Sequence, residues 1–212
     1  QEAMAEADTI VFDKTGTLTK AQPTVVDVVS FNNMTGDELL RIAACLEEHF
    51  PHSMAKAVVD AAKKKHLVHE ELHSKVEYIV AHGISTTLED KMGDKKAIIG
   101  SAHFVFEDEK CVIPEGEEDK YHSIPAQYSH LYLCIAGVLS AVICIFDPLR
   151  REARDALKAL HECGIKNIVM MTGDNHKTAQ SVAAEVGVDE FHAEVLPEDK
   201  AGYIREAKKN GH

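Results

Sequence analysis

Residues 9–20 read TIVFDKTGTLTK, and the fold turns on where this stretch is divided. Thr9, Ile10, Val11 and Phe12 are β-branched, aromatic or both apolar and bulky, which suits a short buried strand, and the polar run begins at Asp13. That division puts a carboxylate at the carboxyl end of a strand, where open α/β sheets bind ligands. Gly16 and small hydroxyl residues follow, leaving backbone N–H groups to hold an anion beside Asp13. A carboxylate nucleophile with such amides is what a phosphoryl acceptor needs. The same residues also suit a plain strand-to-helix turn capped by Asp13.

Composition narrows the partners. The chain has 212 residues, 45% of them hydrophobic, enough for one large domain or two small ones with a buried core. Its formal charge of −12, from 35 acidic and 23 basic residues, argues against nucleic acid or an anionic membrane surface as a general partner. An anionic substrate needs a local cationic pocket instead. Cys45, Cys111, Cys134, Cys144 and Cys163 are scattered without a C-x-x-C pair, the pattern of reduced thiols in a cytosolic setting. The polar, acidic start carries no secretory signal. LYLCIAGVLSAVICIF (residues 131–146) falls short of the roughly 20 apolar residues of a membrane span, and Gly137 in its middle predicts two buried strands around a tight turn.

The pattern along the chain predicts a split domain. VVDVVSF (25–31) reads as a strand, and TGDELLRIAACLEEH begins a helix with Thr35 as cap and Glu38 at the capping-box position. SMAKAVVDAAKKKH (53–66) is a second helix; VEYIVAHGISTTLE and KKAIIGS are strand-like around the turn signal DKMGD, and PEGEEDK (114–120) is an acidic loop. From Asp147 the order becomes regular: a helix ending at Gly164, the strand NIVMM running into TGD, a helix over HKTAQSVAAEVG, the short strand FHAEV, and a last helix beginning at Pro197. Such βαβ alternation implies a parallel sheet. The first strand needs neighbours of this kind, so the expected organisation is an α/β domain of residues 1–22 and 142–212 with an α+β segment, residues 23–141, inserted in it.

Two later segments give Asp13 its partners. TGD (172–174) ends a parallel strand before a helix, so the Thr172 hydroxyl and Gly173 amide suit a phosphate next to Asp13. Lys200, in the first turn of the last helix, suits offsetting that phosphate's charge, and equally suits a solvated helical position. DKTGTLT, DPLR, TGD and PEDK together resemble the P-type cation-transporting ATPases, whose phosphorylation domain has the haloacid dehalogenase fold. The resemblance covers nearly the whole chain. It implies an aspartyl phosphate formed from ATP on Asp13, with Lys14, Thr15, Thr172, Gly173, Asp174 and Lys200 as catalytic residues. It also implies Mg²⁺ on the Asp13 carboxylate and Thr15 carbonyl, and Asp147 of DPLR near the nucleotide in a hinge region. Related phosphatases place a second aspartate two residues after the nucleophile; here that position is Thr15. A positioned acid/base contributes about 10²–10⁴ in rate, so the phosphoenzyme is expected to persist until a separate actuator domain promotes its hydrolysis.

The insertion has no Walker-type loop. AACLEEHFPHSMAKAVV is similar to the adenine-pocket helix of the heavy-metal-transporting class, which implies nucleotide contacts at His52 or at His49 with Glu48. A helix cap remains open for either histidine. IVAHGIST is similar to a glycine-x-glycine strand of that pocket, with Ala81 in place of the first glycine and Gly83 as the second, where bare backbone admits adenine; Gly100 matches a further lining segment. HEELH (69–73) has the form of a zinc-protease signature, but its acidic surroundings predict a solvated face. The family's G-D-G-x-N-D segment does not occur before residue 212, so this piece alone is expected to bind nucleotide and phosphorylate poorly. The reading is therefore the cytoplasmic ATP-binding part of a membrane transporter for heavy-metal cations, whose transmembrane and actuator domains and whose transported ion lie outside it. A free-standing phosphatase and a non-catalytic nucleotide- or metal-sensing module are the alternatives.

Overall fold

The structure, a computed structural model, describes residues 4–6, 8–48, 53–67, 73–80, 83–88 and 95–195, and puts a strand on TIVFD as the sequence predicts. The chain divides into two compact units: Gln1–Gln22 with Asp147–His212, and Pro23–Phe146.

In the first unit the strands are β1 (Met4–Glu6), β2 (Thr9–Asp13), β9 (Asn167–Met171) and β10 (Glu190–His192), in the order β1-β2-β9-β10. β2, β9 and β10 are mutually parallel; β1, which the sequence reading passes over, pairs antiparallel with β2. Side chains alternate across the sheet. Ile10 and Phe12 of β2 and Ile168 and Met170 of β9 pack with Leu157 of α4 (Ala153–Glu162) and Ala179, Val182 and Ala183 of α5 (His176–Val186). Val11, Val169 and Met171 form a smaller cluster of their own. The helix α5 starts where Asn175 accepts a hydrogen bond from the Thr178 N–H (2.8 Å).

The second unit is a six-stranded antiparallel sheet, in the order β3-β8-β7-β6-β5-β4. Its strands are β3 (Thr24–Ser30), β4 (His73–Val80), β5 (Gly83–Leu88), β6 (Lys95–Gly100), β7 (Ser129–Ile135) and β8 (Val138–Phe146). Both faces are covered. Leu131, Leu133, Ile143, Ile145 and Ile99 meet α1 (Gly36–Glu47) and α2 (Ser53–Lys64); the alternate residues Tyr132, Cys134, Val142, Cys144 and Ile98 meet Phe104, Val105 and Ile124. Two covered faces explain why β8 is apolar at nearly every position, where a half-solvated antiparallel strand alternates. Thr35 and Glu38 form the expected capping box, with the Glu38 N–H donating to Thr35 Oγ1 (3.2 Å) and the Thr35 N–H to Glu38 Oε2 (3.1 Å).

Two expectations change in detail, and one turn is new. PEGEEDK is not wholly a loop, because its end winds into α3 (Glu118–His122). The turn His103–Asp108, unmarked in the sequence, carries Phe104 and Val105 into the core. β8 runs through residues 141 and 142, so its pairing with β3 carries the inserted unit to Phe146. None of the five cysteines, all of them among the described residues, forms a disulfide, and only Cys163 is exposed. Burial, then the charge of Asp27, pushes the Cys144 thiol up to about 11. The helix expected from Pro197 lies outside the described residues. Among the described residues no helix is long and apolar enough to cross a membrane.

Candidate active site

Parallel pairing sets the site. Asp13 lies opposite Met171 in the β2–β9 register, so the loops that follow Asp13 and Met171 leave the sheet side by side at its carboxyl end. After Asp13 the chain makes a wide turn, Lys14–Leu18, closed by the Thr19 N–H donating to the Lys14 carbonyl (3.2 Å). Within it Thr15 is extended (φ −71°, ψ 124°) and exposed, and Gly16 has φ +82°. A side chain at Gly16 would meet nothing within 4 Å, so glycine is needed there for its backbone angle and not for space. Asp13 Oδ1 accepts the Thr15 N–H (3.2 Å), so the carboxylate does cap its own turn while standing half-buried at the strand end.

The second loop is fixed from within. Thr172 is buried, and its Oγ1 accepts the Asp174 N–H (3.1 Å); its own N–H donates to the His192 carbonyl (3.0 Å). Gly173 is exposed. Lys14 Nζ forms an ion pair with Asp174 Oδ2, and both side chains are nearly fully buried, at 6% and 8% exposure. This pair ties the Asp13 loop to the TGD loop. A buried pair of this kind is strongly destabilising to break from one side, because the remaining charge is left uncompensated.

Asp147, expected near nucleotide, stands in this same unit. Its Oδ2 accepts the Thr19 hydroxyl (2.8 Å), and the Thr19 oxygen accepts the Gly16 N–H (3.1 Å) and the Ala21 N–H (3.4 Å). Arg150 adds two contacts: its Nη2 donates to the Gly16 carbonyl (3.0 Å) and its backbone N–H to the Leu18 carbonyl (2.8 Å). Sequence reasoning missed Thr19 and Arg150. They stand inside DKTGTLT and DPLR, but only the folded loop shows that the two motifs touch.

The insertion treats its candidates differently. Gly83 and Gly100 face each other across β5 and β6. A Cβ on Gly83 would lie 2.2 Å from Phe104 Cδ2, so the face of Gly83 that a side chain would cover is filled by the Phe104 ring. The absence of a side chain is visible in sequence, and what fills the gap is not. Glu48 is exposed at the end of α1, whereas its neighbour Glu47 is turned inward and is 2% exposed. His49, His52, Ala81 and Lys200 lie outside the described residues. So does most of HEELH, although His73 opens β4 and is therefore in a strand. Among the described residues no group of three or more His, Cys, Asp or Glu is placed to hold a metal ion.

Residues 7–212 match the family model described as "Hydrolase: haloacid dehalogenase-like hydrolase". Among known proteins, "Copper-transporting ATPase 1" of Rhizobium meliloti (strain 1021) is 35% identical over 216 residues, covering 99% of this chain and 25% of that protein. "Silver exporting P-type ATPase" of Salmonella typhimurium is 33% identical over 215 residues, covering 100% of this chain and 25% of that protein. The chain thus spans about a quarter of the length of the curated relatives it matches. The catalytic domain of the CPx-ATPase CopB-B has the same fold, with TM-score 0.70 at 24% identity over 98% of this chain and 68% of that one. A zinc-transporting PIB-type ATPase in its E2.Pi state aligns with TM-score 0.55 at 27% identity, over 96% of this chain and 32% of that one.

Proposed function

From the premise that this chain belongs to the haloacid dehalogenase-like hydrolase family, we propose that it is the ATP-binding and phosphorylation part of a P-type ATPase that moves a soft heavy-metal cation. The single observation carrying this reading is the β2–β9 register, which sets the Asp13 and TGD loops side by side, tied by Lys14 and Asp174. Copper and silver in the relatives' names favour a soft, thiol-seeking cation as cargo. The partners this implies are transmembrane and actuator domains of the same polypeptide, with this part on the cytoplasmic side.

In the proposed reaction an Asp13 carboxylate oxygen attacks the γ-phosphorus of ATP. The oxygen–phosphorus bond forms as the bond to the β,γ-bridging oxygen breaks, and ADP leaves with that electron pair. The Thr172 hydroxyl, the Gly173 amide and Lys200 receive the charge of the transferred phosphoryl group. The Asp13 carboxylate and the Thr15 carbonyl are hard oxygen donors at one strand end and fit Mg²⁺, which would supply charge neutralisation there. Lys14, paired with Asp174, ties the two loops together. His52 or His49, Glu48, and the backbone at Gly83 and Gly100, which pair across β5 and β6, are the proposed nucleotide contacts.

Thr15 bears on the phosphatase alternative. It is extended and exposed, and no carboxylate stands at its position to activate water. ATP labelled at the γ-phosphate tests the proposal. An acid-stable, hydroxylamine-labile label that disappears in Asp13→Asn is expected; a label that survives that substitution, or rapid release of phosphate from small esters without a labelled protein, overturns it.

A further inference from the structure

Thr19 has one hydroxyl hydrogen and two acceptor positions, and the fold uses all three. The hydrogen goes to Asp147 Oδ2 (2.8 Å), and the oxygen accepts from the Gly16 N–H (3.1 Å) and the Ala21 N–H (3.4 Å). Thr19 is 1% exposed, so water does not compete for these positions. Because the hydrogen is committed to the carboxylate, the lone pairs must face the two amides. The other carboxylate oxygen, Asp147 Oδ1, is buried without a hydrogen-bond partner among the described residues, so the Thr19 hydroxyl is the contact that orients the Asp147 carboxylate, while the Lys20 N–H to Pro148 carbonyl (3.0 Å) and Arg150 N–H to Leu18 carbonyl (2.8 Å) bonds hold the two segments together.

The consequence falls on the peptide between Thr15 and Gly16. No cis peptide occurs among the described residues, so the Gly16 N–H and the Thr15 carbonyl point in opposite directions across one rigid plane. Fixing the N–H on Thr19 therefore fixes where the Thr15 carbonyl points. Arg150 Nη2 holds the next carbonyl, that of Gly16, at 3.0 Å. The peptides on both sides of the most flexible residue of the loop are thus clamped by side chains from outside it.

We propose that Asp147, acting through Thr19, is a positioning residue that aims the Thr15 carbonyl as a Mg²⁺ ligand, with Arg150 as the second arm of the clamp. This rests on the reading of Asp13 and Thr15 as the cation's donors. It gives DPLR a role in shaping the acceptor loop itself.

The test needs no turnover. Amide exchange at Gly16 is read by NMR in the whole chain without metal, and Mg²⁺ alone is then titrated against the Thr15 and Gly16 resonances. Thr19→Val and Asp147→Ala are expected to speed Gly16 exchange and weaken Mg²⁺ about fivefold, the change one net hydrogen bond supports. Thr19→Ser and Asp147→Asn, which keep a hydroxyl and an acceptor oxygen, are expected to stay near the unsubstituted chain. If Thr19→Val does not fold, the Asp147→Ala and Asp147→Asn pair decides. Unchanged Gly16 exchange and Mg²⁺ affinity in the disabling variants overturn the clamp. Absence of any Mg²⁺ response at Thr15 in the unsubstituted chain overturns instead the ligand assignment on which the clamp's purpose rests.

Discussion

The two units differ in what they bury: one a charged pair between loops, the other a ring against a glycine. In the parallel-sheet unit, Gly16 takes a positive φ in open space and a charged pair, Lys14 and Asp174, is buried to join two loops. In the antiparallel unit, Gly83 is in contact with Phe104, and the sheet has an apolar cluster on each face. The difference follows from topology. Parallel strands all release their loops at one end, so polar groups from distant positions converge there. Antiparallel strands send successive loops to opposite ends, so this sheet gathers few polar groups at either edge and spends its residues on packing.

If that contrast is right, substitutions should separate chemistry from packing. The largest effect is expected from Asp13→Asn, since Asp13 is the proposed nucleophile and removing the nucleophile of a covalent enzyme costs on the order of 10⁶ in rate. ATP-dependent labelling should fall to background while amide protection in β7 and β9 is retained. Lys14→Met should destabilise the parallel-sheet unit by about 3–5 kcal/mol, because Asp174 is left as an uncompensated buried charge. Hydrogen exchange of β9 amides measures this, and exchange in β7 should not follow.

Gly83→Ala is expected to reverse that assignment. The new methyl meets the Phe104 ring, and overpacking of this kind costs about 1–3 kcal/mol, read from exchange in β6 and β7 with β9 unaffected. Adding Phe104→Leu to Gly83→Ala should recover part of the loss; no recovery would mean the glycine serves something other than the ring. Thr35→Ala should have the smallest effect, about 1 kcal/mol from the lost helix cap, confined to α1 protection.

Much of the parallel-sheet unit was legible in the sequence. The apolar TIVF before Asp13, the NIVMM strand before TGD and the helices ending at Gly164 and Gly187 carry strong local signals. The insertion was legible strand by strand but not in its use of residues. Glu47 and Glu48 have the same chemistry, and which one turns inward depends on the helix face set by Leu39, Ala43 and Leu46. Phe104 sits in a turn opened by Ser101, whose Oγ accepts the Phe104 N–H (3.3 Å), but a local cap says nothing of the distant Gly83, so that contact had no trace to follow.

The stretch TIVFDKTGTLTK by itself determined a strand, a carboxylate at its end and a glycine for a turn, because strand propensity and backbone freedom are local properties. Tertiary structure alone decided which partners the loop has. Lys14 reaches Asp174, Thr19 reaches Asp147, and Arg150 reaches Gly16, across separations of more than a hundred residues. Hydrogen bonds and ion pairs are set by distances of a few ångströms, and the register of β2 against β9 fixes those distances only after the insertion has been looped out and the chain has returned to the sheet.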